Sequence, residues 1–343
     1  MLFRCSAHFM ILRKTVAVSF FLIVWPLLFL TADSKPAKIK QLADYPNQLE
    51  RNGELVVLPD HGIVYLGTDF HGKLRYFEQW LKQTALIEQI DSGKDVYGLV
   101  LGDVVDHKLT EPILDPDGDA KIVDQIRHFQ TQLGDKGTRL IYLKGNHELK
   151  ATETYARLKK SGMNTNNRKN LIDWLYKSAQ GDYFRQFNFI ERMTDEQYDY
   201  LVNLPVIAVG KNGMVAVHAG TPPAAMNIVD LAHPSQKVLD QLLWGRPAIA
   251  MAGGYTAAQT QDFLKRIGGS FLIVGHTPLN YMPQKSIKNG VSLLNKKQLI
   301  FSTGYGAQPG VPSYLTIDLS KTYNSVFELK HKVEIWPLFP PVQ

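Results

Sequence analysis

The sequence predicts an α/β fold. Short apolar runs rich in β-formers, most of them closed by a glycine, recur along the chain, and segments with a 3.6-residue apolar period lie between them. A third observation concerns function: residues able to bind metals or move protons cluster just after these runs, where α/β proteins place their chemistry. With 343 residues, 45% hydrophobic and 20% charged, the chain can bury one large core or two modest ones.

Arg4, Arg13 and Lys14 precede the uncharged run TVAVSFFLIVWPLLFLTA at 15–32, so residues 1–32 read as a signal peptide or an N-terminal membrane anchor. The end of that run offers Ala32 for cleavage, with Leu30 where a small residue is usual. Either reading exports the rest of the chain, to a periplasm or exterior, with a possible membrane tether through 15–32. Residues 33–60, with scattered Lys, Pro and Asn, read as a linker. Strands are predicted at 62–67, 96–102, 139–145, 213–220, 270–276, 298–304 and 313–319. A helix at about 73–91 carries Leu74, Phe77, Leu81 and Ile90 along one side, and a second at about 120–133 carries Ile122, Ile126, Phe129 and Leu133. Residues 150–204 lack strand signals and read as a helical insert inside a domain spanning 61–325, its last helix opening with Thr194 and Gln197 in a capping-box arrangement. DPDGD at 115–119 and NTNNRKN at 164–170 read as loops, and 326–343 as a C-terminal tail or strand.

Composition excludes several classes of function. Cys5 is the only cysteine, so a mature domain has neither disulfides nor thiolate chemistry. Without residues 1–32 the formal charge falls from +6 to +3, and no basic block carries interleaved aromatics, so no nucleic-acid partner is expected.

The predicted strands end in residues of one chemical type: Asp69 and His71 after the first, Asp103 and Asp106 after the second, Asn146, His147 and Glu148 after the third, then His218 and His276. Each fragment alone is weak, since Asp-x-His arises by chance and a lone strand-end histidine is more often a satisfied polar residue than a ligand. Five in succession form a pattern. Carboxylate, amide oxygen and imidazole are the donors that hard and borderline divalent metals take, and a pair of such ions can clamp attacking and leaving oxygens together.

Asp69-x-His71, Gly102-Asp103-x-x-Asp106, Gly145-Asn146-His147-Glu148, His218 and Gly275-His276 resemble the signature of the calcineurin-like metallophosphoesterases, over residues 62 to 320. Val105-Asp106, Leu204-Pro205, Leu242-Leu243-Trp244 and STGYGA at 302–307 look most like its phosphoprotein phosphatase branch, in a bacterial-type version. The resemblance implies a four-layer fold of two mixed β-sheets packed face to face and flanked by helices. It implies two divalent metal ions, Mn, Fe or Zn, with Asp69, His71 and Asp103 holding one and Asp103, Asn146, His218 and His276 the other. It also implies in-line attack on phosphorus by a hydroxide bridging the ions, with His147 as general acid oriented by Asp106, and a phosphorylated protein or small molecule as substrate. Glu148 is expected to buttress its loop.

One departure stands out. The phosphatase branch continues its Gly-Asp-x-Val-Asp with Arg-Gly, the arginine gripping phosphate, whereas His107 and Lys108 stand here. Arg246 is the candidate replacement, because a guanidinium can pair two phosphate oxygens, with His107 and Tyr305 as further candidates. The alternatives are a hydrolase of dinucleoside polyphosphates or other phosphodiesters or pyrophosphates, for which Tyr76, Trp244 and Tyr305 are the aromatics to watch, and an inert phosphatase-like binding module. The complete ligand set argues against the last.

Overall fold

The computed structural model describes residues 41–108, 112–162, 165–178, 185–307 and 311–339. The expected export segment lies outside them, and no helix among the described residues is long and apolar enough to cross a membrane.

Two sheets form the centre. The smaller runs β13 (Ile335–Pro337), β12 (Ser313–Asp318), β3 (Ile63–Gly67), β4 (Val96–Val100) and β5 (Leu140–Tyr142). The larger runs β1 (Glu50–Asn52), β2 (Leu55–Leu58), β6 (Ile207–Gly210), β7 (Met214–Val217), β8 (Phe271–Val274), β11 (Gln298–Phe301), β10 (Val291–Leu294) and β9 (Ile287–Lys288). Both are mixed: β3, β4 and β5 are parallel, as are β7, β8 and β11, while β12 and β10 run antiparallel to their neighbours.

The period-2 alternation of strand side chains explains the layering. Val64 and Leu66 on β3, Leu99 on β4, Val56 and Leu58 on β2, Met214 and Ala216 on β7 and Ile273 on β8 all enter one apolar layer between the sheets. Their alternate neighbours face outward. Val96 and Val100 pack with Phe77, Trp80, Ile122 and Ile126 of the helices α1 (Leu74–Thr84) and α3 (Gly118–Gln132). Leu55, Val57, Val215 and Val217 pack instead with α8 (Val229–Ala232), α9 (Gln236–Trp244) and α10 (Ala257–Ile267). Helices, sheet, sheet, helices: the four-layer α/β arrangement expected from the resemblance is the one observed.

Some expectations are corrected. Residues 33–60 do not all form a linker, because β1 and β2 complete the larger sheet, β2 pairing parallel to β6 from Leu55↔Ile207 to Leu58↔Gly210. The expected helix at 73–91 breaks at Ala85, whose φ of +44° ends α1 and starts α2 (Leu86–Asp91). The break turns Leu86 onto β4, where Gly98 leaves room: a Cβ there would lie 2.4 Å from the Leu86 side chain. NTNNRKN is not a loop throughout, since α5 (Thr165–Ser178) begins within it and Arg168 pairs with Glu191 on α6 (Gln186–Arg192). Leu171 and Leu175, buried in the core, anchor the helix despite the weak helix propensity of Asn. The helical region otherwise agrees with expectation, with α4 (Asn146–Ser161) and α7 (Asp195–Val202), the latter capped by Thr194 and Gln197 reciprocally.

Candidate metal centre

Because β3, β4 and β5 are parallel to one another, and β7, β8 and β11 likewise, each set delivers its loops at its carboxyl ends. Hydrogen bonds between these loops bring the ends of the two sets together. Asp69 and His71 follow β3, Asp103 and Asp106 follow β4, and Asn146 and His147 open α4 just after β5. His218 follows β7, His276 follows β8 and Tyr305 follows β11.

The backbone is bent to suit. Asp69, His71, Asp103, Asp106 and His276 all have φ between +45° and +75°, a region that costs a non-glycine residue about 1–2 kcal/mol. Such strain persists only where surrounding contacts over-determine it, and here they do. The Asp69 carboxylate accepts the His276 N–H at 3.1 Å and the Thr68 hydroxyl at 2.7 Å. The buried Glu148 carboxylate accepts the N–H groups of Asp103 (2.9 Å), Val104 (2.8 Å), Val105 (3.3 Å) and Gly145 (2.7 Å), and the Tyr142 hydroxyl (2.7 Å). Glu148 therefore ties the β4 loop to the start of α4, the buttress expected of it.

The ring nitrogens are oriented by the same logic. His71 Nδ1 lies 2.9 Å from the Asp106 carbonyl and donates to it, which turns the lone pair of Nε2 toward Asp103 Oδ2 at 3.5 Å and Asp69 Oδ1 at 4.0 Å. His218 Nδ1 donates to the Leu101 carbonyl at 2.7 Å, leaving Nε2 facing Asn146 Oδ1 at 2.9 Å, Asp103 Oδ1 at 3.3 Å and His276 Nδ1 at 3.2 Å. An imidazole held by one nitrogen against a carbonyl, its other nitrogen turned into a cluster of oxygens, is the usual orientation of a metal-ligating histidine.

Among the described residues, two groups of donors converge within 4.8 Å, one of His71, Asp103 and His147 and one of Asp103, His218 and His276. Asp103 belongs to both, and His276 Nε2 is buried without a hydrogen-bond partner. The residues fit metal ions, and the buried His/Asp cluster can hold them. The grouping differs from the expected ligand sets in that the first group takes His147, 3.7 Å from Asp103 Oδ2, in place of Asp69, whose Oδ1 lies 4.0 Å from His71 Nε2.

Electrostatics reflect the crowding. Burial raises the Asp69 carboxyl to about 7, against the pull of His218. Burial would raise Asp103 too, but the imidazoles of His147 and His218 hold it well below the carboxylate range. Burial also opposes charge on His218, yet Asp103 and Asp69 bring it up to about 9. His147 is pushed well below an ordinary histidine by burial, with Asp103 opposing and the Lys108 ammonium adding to the shift.

His147 Nδ1 lies 2.7 Å from Asp106 Oδ2, so the expected pair is assembled. The candidates for phosphate binding separate. Arg246 and Tyr305 line the same 650 Å³ chamber as the metal-binding cluster, Arg246 donating to the His276 carbonyl at 3.0 Å and Tyr305 set edge-on to His71. His107 does not line it. The left-handed backbone of Asp106, at φ +75°, sends the His107 ring toward Asp119 and against Gly72, where a Cβ would come within 2.2 Å of it. Sequence reasoning passed over the next residue: the buried Lys108 turns inward, its ammonium 2.8 Å from His147 Nε2 and 5.2 Å from the centre of the Tyr305 ring. No spacing signals this, because it depends on the turn at Asp106. Of the three aromatics, Trp244 and Tyr305 line the chamber, whereas Tyr76 lines a neighbouring cavity. The helical insert also reaches the site. Arg185 donates to the Lys108 carbonyl and Gln186 to that of His147, both at 2.5 Å.

Gly145 tests how tightly the loops pack. A Cβ there would lie 2.3 Å from Asp103 Oδ1 and 2.6 Å from the Asp103 nitrogen. Gly145→Ala is expected to displace Asp103 and lower the number of tightly held metal ions per chain, read by elemental analysis after gel filtration; unchanged stoichiometry would contradict the packing described.

The family model for calcineurin-like phosphoesterases matches residues 64–280. A protein serine/threonine phosphatase from Saccharomyces cerevisiae superposes with a TM-score of 0.50 at 15% identity, covering 78% of this chain and 77% of that one. A proposed diadenosine tetraphosphatase gives 0.47 at 16% identity, covering 77% and 93%, and a cold-active protein-tyrosine phosphatase from a Shewanella species gives 0.45 at 15%, covering 81% and 82%. At these identities the likenesses concern the fold alone. None of the curated proteins compared matches significantly.

Proposed function

The chain belongs to the calcineurin-like phosphoesterase family and is a phosphoesterase, and from that premise we propose that it hydrolyses phosphomonoesters, phosphoproteins among them. The observation that carries this reading is the buried His147–Asp106 pair, 2.7 Å apart, placed beside a carboxylate shared by two groups of metal donors. In this reading Asp69, His71 and Asp103 hold one ion, and Asp103, Asn146, His218 and His276 the other. When bound, the ions supply a nucleophilic water at neutral pH and positive charge for the phosphoryl oxygens. Carboxylate, amide and imidazole donors suit Mn, Fe or Zn.

The chain's own groups do the remainder. Asp106 holds the Nδ1 proton of His147, so Nε2 is the nitrogen that takes up a further proton from water and hands it to the departing oxygen, leaving the imidazole neutral. Arg246, on the His276 side of the chamber, and Tyr305, against His71, face the phosphoryl group. The arginine supplies the paired donors that phosphate takes. The export segment read at 1–32 adds that the substrate is met outside the cytoplasm.

The test uses protein stripped with chelator and assayed on p-nitrophenyl phosphate, phosphotyrosine and phosphothreonine peptides and a dinucleoside tetraphosphate. Stripping should lower turnover about a thousandfold or more, since the ions' charge stabilisation is worth several kcal/mol, and Mn²⁺ should restore it to the wild type but not to Asp103→Asn. Preference for the tetraphosphate would replace the monoester reading with the diester or pyrophosphate one. Absence of turnover on all four, with metals bound, would refute both.

A further inference from the structure

Two cavities meet at the centre. Beside the metal chamber lies a second, of 530 Å³, and the two share His71 and Lys108 as wall residues. The second is bounded by Lys73, Leu74, Arg75 and Tyr76 at the start of α1, and by Ile113 and Leu114 across from them, Leu114 being 81% exposed. We propose that this second cavity is the leaving-group site of the phosphoesterase, suited to an alcohol with an aromatic or apolar body, and that Lys108 is the cation gripping the phosphoryl group where the two cavities join. This rests on the monoesterase reading above.

The placement is dictated by His147. Its Nδ1 is committed to Asp106, so the leaving oxygen must come to Nε2, and Nε2 lies 2.8 Å from the Lys108 ammonium. A phosphoryl group positioned for proton transfer from Nε2 therefore meets Lys108 at hydrogen-bonding distance. In an in-line displacement the leaving group departs opposite the attacking oxygen, on the side of the group that protonates it. The second cavity meets the chamber at Lys108, beside Nε2, and so offers the adjoining space for the leaving group. Its wall combines the apolar side chains of Leu74, Tyr76, Ile113 and Leu114 with charges of both signs, Lys73 and Arg75 against Glu78 and Asp115. An apolar or aromatic leaving group can bury against the first set.

Lys108 is also positioned with care. Its carbonyl accepts from Arg185 of the helical insert and its side chain is buried. The ammonium donates to the Nε2 lone pair; a phosphoryl oxygen gives it a charged acceptor instead, and Nε2 then takes up a proton from water and passes that proton to the leaving oxygen. Arg246, anchored to the His276 carbonyl, grips from the other side.

Three variants of the full metal-loaded chain separate the parts of the proposal: Lys108→Ala, Lys108→Arg, and the double variant Ile113→Asp with Leu114→Asp, whose positions are exposed enough to spare folding. The readouts are KM and kcat for a phosphotyrosine peptide and the affinity for inorganic phosphate, measured by calorimetry. Lys108→Ala should weaken phosphate binding and raise KM by about tenfold or more, the worth of a hydrogen bond between charged groups, and Lys108→Arg should recover most of the loss. The double variant should raise KM for the peptide about tenfold and leave phosphate affinity within about twofold. Unchanged phosphate affinity in Lys108→Ala would overturn the role of Lys108. An unmoved peptide KM in the double variant would overturn the leaving-group site. If the wild type binds phosphate in a Lys108-dependent way yet hydrolyses no monoester, the function proposed above fails while Lys108 stands as the phosphate cation.

Discussion

His147→Asn is expected to lower kcat toward alkyl phosphates and phosphothreonine peptides by about 10²–10⁴-fold, the range lost with a positioned general acid, while the bound metal is retained. Toward p-nitrophenyl phosphate, whose leaving phenolate needs little help from a proton, the loss should shrink to about tenfold. The contrast between substrates matters because geometry allows a second role for this imidazole: it lies with His71 and Asp103 in one convergent donor group, 3.7 Å from Asp103 Oδ2. A ligand and an acid behave differently on substitution. Loss of one metal equivalent, with equal losses on both substrates, would make His147 a ligand. Retained metal with a leaving-group-dependent loss makes it the acid, and Asp106→Asn should then reproduce a smaller version of the same pattern, because the carboxylate 2.7 Å from Nδ1 holds the ring's orientation.

The second large effect concerns stability. Glu148→Ala removes the one acceptor shared by the N–H groups of Asp103, Val104, Val105 and Gly145 and by the Tyr142 hydroxyl. Buried donors left without partners cost about 1–3 kcal/mol each, but the loops will relax and recruit water, so a total near 3–5 kcal/mol is expected. In a chain of this size that lowers the melting temperature by about 5–10 °C. The Asp103 loop, held in its left-handed conformation by these bonds, should move, and activity should fall with it. Tyr142→Phe is the graded control: it removes a single donor, should cost about 1 kcal/mol and should leave the metal sites filled. Thermal denaturation of the two variants side by side checks the ordering. Equal and small shifts would mean that Glu148 is not what holds these loops.

The elements legible in the sequence share a physical trait: their signal is local. A run such as Ile63–Gly67 or Phe271–Val274 needs only its own apolar residues and a closing glycine to read as a buried strand, and the residues just beyond it are then strand-end residues whatever the rest of the chain does. That is why Asp69, His71, Asp103, Asn146, His147, His218 and His276 could be named in advance, and why the resemblance they carry identified the family. The features that stayed hidden depend on partners distant in sequence. β1 and β2 lie in a stretch with the composition of a linker, and they become strands because β6, some 150 residues away, offers an unpaired edge at Ile207–Gly210. α5 begins in an asparagine-rich segment whose Arg168 pairs with Glu191.

The site shows the same division at the scale of single atoms. Side-chain chemistry and strand periodicity are properties of the chain, so they were enough to put carboxylates, an amide and imidazoles at the strand ends in an order that suits metal ions. Tertiary packing alone turned Lys108 rather than His107 into the chamber, converged five donors on Glu148, and gave two cavities a shared wall at Lys108. Those outcomes rest on backbone angles such as the +75° at Asp106 and on contacts across 39 to 45 positions of sequence, which exist only once the loops have packed against one another.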